Sequence, residues 1–171
     1  MKTAMSKLRW MNRADLPEVL KIEHQGFEYP WPEEEFMRQL ARKDVIGLVC
    51  DCQLDNGEMV VGGYLVYAMK PIEFDLINIA VHYDFRRQGV ATKMLNKLKG
   101  KLSQNRRIRM TAMVSENNLR ACKFFKSQGF VAIETCRKYY DLTDWDAYKF
   151  QYSIEQPAKR EMRNRMGAIT E

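Results

Sequence analysis

The residues whose types and spacing are best suited to chemistry lie between Asn78 and Thr92. The run Asn78-Ile79-Ala80-Val81-His82-Tyr83-Asp84-Phe85-Arg86-Arg87-Gln88-Gly89-Val90-Ala91-Thr92 reads as an apolar strand end, a short turn, a basic cluster, a glycine and the first turn of a helix. A helix that begins there leaves its first N–H groups without intrahelical partners. It also points the positive end of its dipole at the same place, so the turn attracts phosphate. Gly89 has no Cβ to hold a diphosphate away from the backbone, and Ala91 keeps the next turn small. Arg86 and Arg87 add charges that can pair with phosphate oxygens.

Hydrophobic spacing shows which elements must position this turn. Leu8-Arg9-Trp10-Met11 predicts a first strand. Asp15 as an N-cap, Pro17 in the first turn and Glu18 three residues after Asp15 predict a helix, with Leu16, Val19, Leu20 and Phe27 near one face. Residues 26–32 break that helix, and Pro32 followed by Glu33, Glu34 and Glu35 opens a second, with carboxylates at its positive end. Strands over 45–51 and 60–69 flank Asn56-Gly57, a hairpin signal. A strand over 72–81, a helix over 89–102, a strand over 108–114 and a helix over 117–128 closed by Gly129 follow. Strands over 130–136 and 145–154 end the folded part. One domain over 1–154 and a charged, flexible tail over 155–171 are expected.

A chain of 171 residues that is 46% hydrophobic suits one domain with a real core. No run of 18 apolar residues and no apolar leader is present, so a cytoplasmic protein with no membrane partner is expected. Cys50, Cys52, Cys122 and Cys136 lack paired metal-ligand spacing, and only two histidines accompany them, so reduced thiols and no metal are expected. The net charge of +6 favours anionic partners without naming one. The basic cluster of Lys93, Lys97, Lys99, Lys101, Arg106, Arg107 and Arg109 reads chiefly as solvated surface, with nucleic acid not expected as a direct ligand.

Arg86-x-x-Gly89-x-Ala91 directly after a strand ending Asn78-Ile79-Ala80-Val81 resembles the pyrophosphate motif Q/R-x-x-G-x-G/A of the GNAT superfamily of acetyl-CoA-dependent N-acetyltransferases. Asn118-x-x-Ala121 and Phe125-x-x-x-Gly129-Phe130 resemble that family's second cofactor segment. The aromatic joint Tyr29-Pro30-Trp31 is similar to the peptide entrance of N-terminal acetyltransferases of the bacterial RimI type. The resemblance covers roughly residues 7 to 154. It implies a mixed α/β fold: a mostly antiparallel sheet of six to seven strands with two central parallel strands splayed apart, flanked by about four helices.

The same resemblance implies that acetyl-CoA is held by Ile79, Ala80 and Val81, by residues 86–92 (Arg86, Arg87, Gln88, Gly89, Val90, Ala91 and Thr92), and by Asn118 and Phe125. It implies a protein N-terminus as acceptor, a ribosomal one among the candidates, met by Tyr29, Trp31, Asn78, Tyr139 and Tyr140, on a monomer or weak homodimer. Family members place a glutamate or histidine where this chain has Met113, and a tyrosine proton donor where it has Phe125. Neither residue can shuttle a proton. The candidates to replace them are Tyr139, Tyr140, Asp75 and Glu73, the carboxylates acting through water. His82 and Glu116 read as structural. An acetyltransferase for small amines and a non-catalytic CoA- or peptide-binding module remain as alternatives.

Overall fold

The computed structural model describes residues 5–155; the predicted tail over 155–171 lies, apart from Glu155, outside the described residues. Seven strands and four α-helices follow one another as β1 (Ser6–Trp10), α1 (Leu16–Gly26), α2 (Glu33–Leu40), β2 (Val45–Gln53), β3 (Met59–Met69), β4 (Glu73–Val81), α3 (Val90–Lys99), β5 (Arg109–Ser115), α4 (Leu119–Ser127), β6 (Val131–Cys136) and β7 (Ala147–Ser153). They build one seven-stranded sheet in the order β1-β2-β3-β4-β5-β7-β6. Every neighbouring pair is antiparallel except β4 and β5, which run parallel.

The sheet separates two cores. On one face α3 and α4 bury Val90, Met94, Leu95, Leu98, Cys122 and Phe125 against Leu65, Phe74, Leu76, Met110 and Phe150. On the other, α1 and α2 bury Leu16, Val19, Ile22 and Phe36 against Val49, Tyr64, Val66 and Ala68. Alternation along β2 and β3 supplies both faces at once, which is why these strands read as nearly continuous apolar runs. The hairpin between them turns at Asn56-Gly57 with Gly57 at φ +87°, the left-handed region that glycine adopts without penalty. Gly129 closes α4 in the same way at φ +86°, and Phe130 N–H reaches back to Phe125 O.

The entry to α1 differs from the capping expected. Asp15 stands at the N-cap position of α1 but makes no side-chain cap bond to the helix. The capping is done one turn earlier by Asn12, whose side chain accepts from Ala14 N–H at the start of a 3-10 turn over Arg13–Asp15 while Asp15 accepts from Asn12 N–H. Arg9 takes the Asp15 carboxylate in a two-pronged pair at 2.9 and 2.8 Å. The same guanidinium holds Asp51 at 2.6 Å, so one arginine clips β1 and β2 to the start of α1. Glu18 is likewise diverted, accepting Val61 N–H at 2.8 Å where β3 carries a register shift opposite β2.

Burial pushes the Asp15 carboxyl up, but the Arg9 hydrogen bonds and Asn12 N–H outweigh it and hold the group below its ordinary range. The stabilisation is therefore complete above the ordinary carboxylate pKa and is lost as pH falls through the lower folded value. Asp15→Ala is expected to destabilise the fold by about 2 kcal/mol at neutral pH, scaled down from a fully buried pair because Arg9 is partly exposed. Urea titrations at descending pH should show the gap to the parent protein closing below roughly pH 4.

Candidate active site

β4 and β5 are hydrogen-bonded neighbours only from Glu73–Leu76 against Arg109–Ala112. Beyond that point β4 continues to Val81 on β3, and β5 continues to Ser115 on β7, so the two strands part and leave a gap. His82 N–H donates to Gly62 O on β3. Because antiparallel strands turn alternate residues toward the partner, Ala80 also faces β3, while Ile79 and Val81 present their N–H and C=O groups to the gap. Arg86 Nε donates to Val81 O at 3.1 Å from that side.

A 3-10 turn over Tyr83–Phe85, not foreseen in the sequence, joins β4 to the basic turn; His82 caps it, with its Nδ1 accepting Asp84 N–H at 3.2 Å. Arg87 at φ +60° and Gly89 at φ +79° are both left-handed, and between them they fold the backbone into a concave turn at the start of α3. Among the described residues the N–H groups of 87–92 donate to no protein acceptor, and α3 has no side-chain cap. A Cβ built on Gly89 would meet nothing within 4 Å, so the turn opens onto empty space. Two left-handed residues flanking Gln88 and a run of free amides make an anion nest.

The cations around it are divided in role. Arg87 is exposed, whereas Arg86 is half-buried against Val81 O and within 3.9 Å of a Cβ at Gly26, the end of α1. Burial and then the neighbouring Arg120 charge lower the Arg86 pKa. Arg120, which sequence reading passed over, thus adds to the positive field, and none of these three arginines forms an ion pair among the described residues. Gln88 Nε2 donates to Asp84 O, and Thr92 Oγ1 accepts from Gln128 just after α4, so their side chains brace the turn. Val90 is buried beneath it. Asn118 caps α4, its Oδ1 accepting Ala121 N–H at 3.1 Å. Phe125 is only 2% exposed, packed on Phe130 and Phe150 in the aromatic core.

On the α1 side of the sheet, a cavity of about 220 Å³ brings together Glu73, Asp75, Met113 and Tyr139, with Lys70 and Thr111 on its wall. Lys70 Nζ lies 2.7 Å from Asp75 Oδ2, and Thr111 Oγ1 donates to Asp75 Oδ1 at 3.3 Å. Glu73 is flanked by Arg109 Nε at 3.6 Å and Lys70 at 3.8 Å. Burial first, and then the Asp75 charge, push the Tyr139 phenol up. Tyr140 stands edge-on to Tyr139 at 5.1 Å, and burial pushes it up to about 12. Both phenols are therefore protonated at neutral pH. Glu116 accepts Asp146 N–H at 2.9 Å, tying the start of α4 to the β6–β7 loop.

Tyr29 and Trp31, expected at an entrance, lie on the α1–α2 loop. Tyr29, half exposed, meets Trp145 of the β6–β7 loop edge-on at 5.8 Å. Trp31 turns inward instead, packing on Phe36 at 5.2 Å, with its N–H held by Glu23 at 2.8 Å. Asn78 is buried, and its Nδ2 donates to the same Glu23 at 3.1 Å. Glu23 escaped the sequence reading. Its signal was a carboxylate seven residues after Leu16 and four after Val19, on the buried stripe of α1.

The sequence profile described as the Acetyltransferase (GNAT) family matches residues 16–130. The chain belongs to this family. It is 28% identical over 141 residues to the [ribosomal protein bS18]-alanine N-acetyltransferase of Escherichia coli K12, covering 82% of this chain and 90% of that one. The crystal structure of the ribosomal-protein-S18-alanine N-acetyltransferase from Escherichia coli superposes with a TM-score of 0.73 at 24% identity, covering 91% of this chain and 98% of that one. Arabidopsis thaliana NAA60 in complex with acetyl-CoA superposes at 0.76 and 17% identity, covering 88% of this chain and all of that one. The GNAT fold expected from the motifs is therefore the fold of this chain, with seven strands and four α-helices among the described residues.

Proposed function

We propose that the protein transfers an acetyl group from acetyl-CoA to the α-amine of a protein N-terminus, releasing CoA. The free amides of residues 87–92 with Arg87 and Arg120 would hold the diphosphate, and the gap beside Ile79 and Val81 would take the pantetheine arm and thioester. An N–H aimed at the carbonyl from Ile79 or Val81 would steady the charge that develops on its oxygen. The observation that carries this reading is the pairing of an unoccupied row of helix-start amides with a strand gap one short turn away. The similarity to enzymes named for the alanine of ribosomal protein bS18 makes a ribosomal-protein N-terminus the first substrate to test. Free thiols at Cys50, Cys52, Cys122 and Cys136 suit a reducing, cytoplasmic setting.

The acceptor class follows from proton energetics. An α-amine with a pKa of about 7.7 to 8.0 is partly neutral at cellular pH, whereas a lysine near 10.4 costs about 4 kcal/mol to deprotonate. With Met113 and Phe125 at the positions where relatives keep an acid and a base, the easier amine is the better match. Asp75 is the group best placed to receive the proton. It shares a cavity with Met113 and Tyr139, and at roughly 3.3 Å per residue it lies about 13 Å along β4 from Ile79, a span that a relay of waters would have to cross. Tyr139, Tyr140 and Tyr29 would meet the peptide.

Incubation with acetyl-CoA and a library of N-terminal peptides, followed by mass measurement, should show a gain of one acetyl group on α-amines, with Ala-starting peptides first among them. Acetylation of small amines alone, or tight CoA binding without any product, would overturn the reading.

A further inference from the structure

β4 contains one residue too many for a regular strand. Its pairing with β3 shifts register between Val66 and Tyr67, so that Asn78 faces Val66 and Leu76 faces Tyr67 with Ile77 left over. Phe74, Leu76, Ile79 and Val81 pack on the α3 side, whereas Ile77 and Ala80 pack on the α1 side. The bulge therefore turns Asn78, which alternation alone would not place there, toward α1 and Glu23.

Glu23 is 1% exposed, and its two oxygens are fully used. Oε1 accepts Trp31 N–H, and Oε2 accepts both the Tyr64 hydroxyl and Asn78 Nδ2. Burial and then the Glu23 charge hold the Tyr64 phenol well above its ordinary value, so it remains a donor. A carboxylate that only accepts requires Asn78 to offer its NH2 and to turn its carbonyl away. Asn78 Oδ1 accepts no hydrogen bond among the described residues, yet it is not among the sealed, unpartnered atoms of the structure. It is an accessible acceptor on β4, one residue before Ile79 at the gap.

We infer that Glu23 is a positioning residue that fixes the side-chain amide of Asn78 so that its Oδ1 receives an N–H of the incoming acceptor amine. The same carboxylate holds the α1–α2 loop through Trp31, so one group sets both the entrance and the acceptor. This rests on the N-terminal acetyltransferase reading. A buried carboxylate at this point has a further consequence: the Gln side chain, which donates as well as accepts, leaves Asn78 free to reverse.

The test compares Glu23→Gln, Asn78→Ala and the double variant on the best peptide from the library. Each single change should raise the peptide KM about tenfold while leaving kcat within about threefold, the loss expected for one hydrogen bond to a charged group. The double variant should be no worse than Asn78→Ala, and the CoA Kd from calorimetry should stay unchanged throughout. Side-chain amide resonances of Asn78 should shift in Glu23→Gln, a readout that needs no turnover. An unchanged KM and resonance in Glu23→Gln, or additive losses in the double variant, would overturn the inference. Inactivity of the parent protein on every peptide would instead overturn the function on which it rests. Should Glu23→Gln fail to fold, Asn78→Ala decides: a parent-like peptide KM in it removes the acceptor role.

Discussion

Gly89→Val will weaken acetyl-CoA binding by at least about 100-fold, the equivalent of roughly 3 kcal/mol. Two effects add. At φ +79° a β-branched side chain is strained by about 1–2 kcal/mol, and the backbone relaxes by closing the turn. The new methyl groups also enter the open space before the free N–H groups of 87–92, where charge-assisted hydrogen bonds worth about 1.5–3 kcal/mol each would form. Gly89→Ala keeps the strain with a smaller obstruction, so its loss should be distinctly milder. Calorimetric titration with CoA measures both. Because a Cβ at this position touches no protein atom, the thermal midpoint should fall only by what the strain costs. Parent-like affinity in the valine variant would remove the nest from the cofactor site.

Asp75→Asn carries the second large effect, a fall of about 100-fold in kcat with the CoA Kd preserved. The substitution keeps the shape of the side chain and its contact with Thr111 Oγ1, but it cannot take up a proton. Glu73→Gln is the comparison. Glu73 sits beside Arg109 and Lys70 at the fully paired end of β4, farther from the gap, and its variant should stay within about threefold of the parent. Steady-state assays on a single peptide separate the two. Equal behaviour of both variants would show that neither carboxylate handles the proton. Adding a base through Met113→Glu is informative beside them: Met113 already lines the Asp75 cavity, so a carboxylate there should partly restore turnover to Asp75→Asn.

Much of this architecture could be read from residue order. Strand–helix alternation, the Asn56-Gly57 hairpin and the Gly129 stop are local signals, and they mark the elements to within a few residues. The turn of free amides before α3 was legible for the same reason, since a glycine and a helix start lie within a few residues of each other. What escaped was decided by distant partners. Asp15 has the sequence of an N-cap, but an arginine on β1 claims its carboxylate, so Asn12 performs the capping. Trp31 has the look of an entrance residue, yet Phe36 and the Glu23 carboxylate draw it inward, while Trp145 from a loop over a hundred residues away faces Tyr29. Asp75 and Glu73 could be named from their strand. Their different surroundings could not, because Arg109 and Thr111 reach them from β5.

The leftover residue Ile77 also settles a question of parity. Asp75 and Asn78 are three positions apart, an odd interval, and in an even-stepped ribbon they would look in opposite directions. Both nevertheless address the same side. Excising Ile77 would make the interval even and keep both aims while straightening the kink. Inserting one more residue beside it also makes the interval even, but it leaves two residues of β4 without partners on β3 and widens the interruption in the pairing. Length changes at this spot are therefore not interchangeable: the fold should accept a shortening far better than a lengthening.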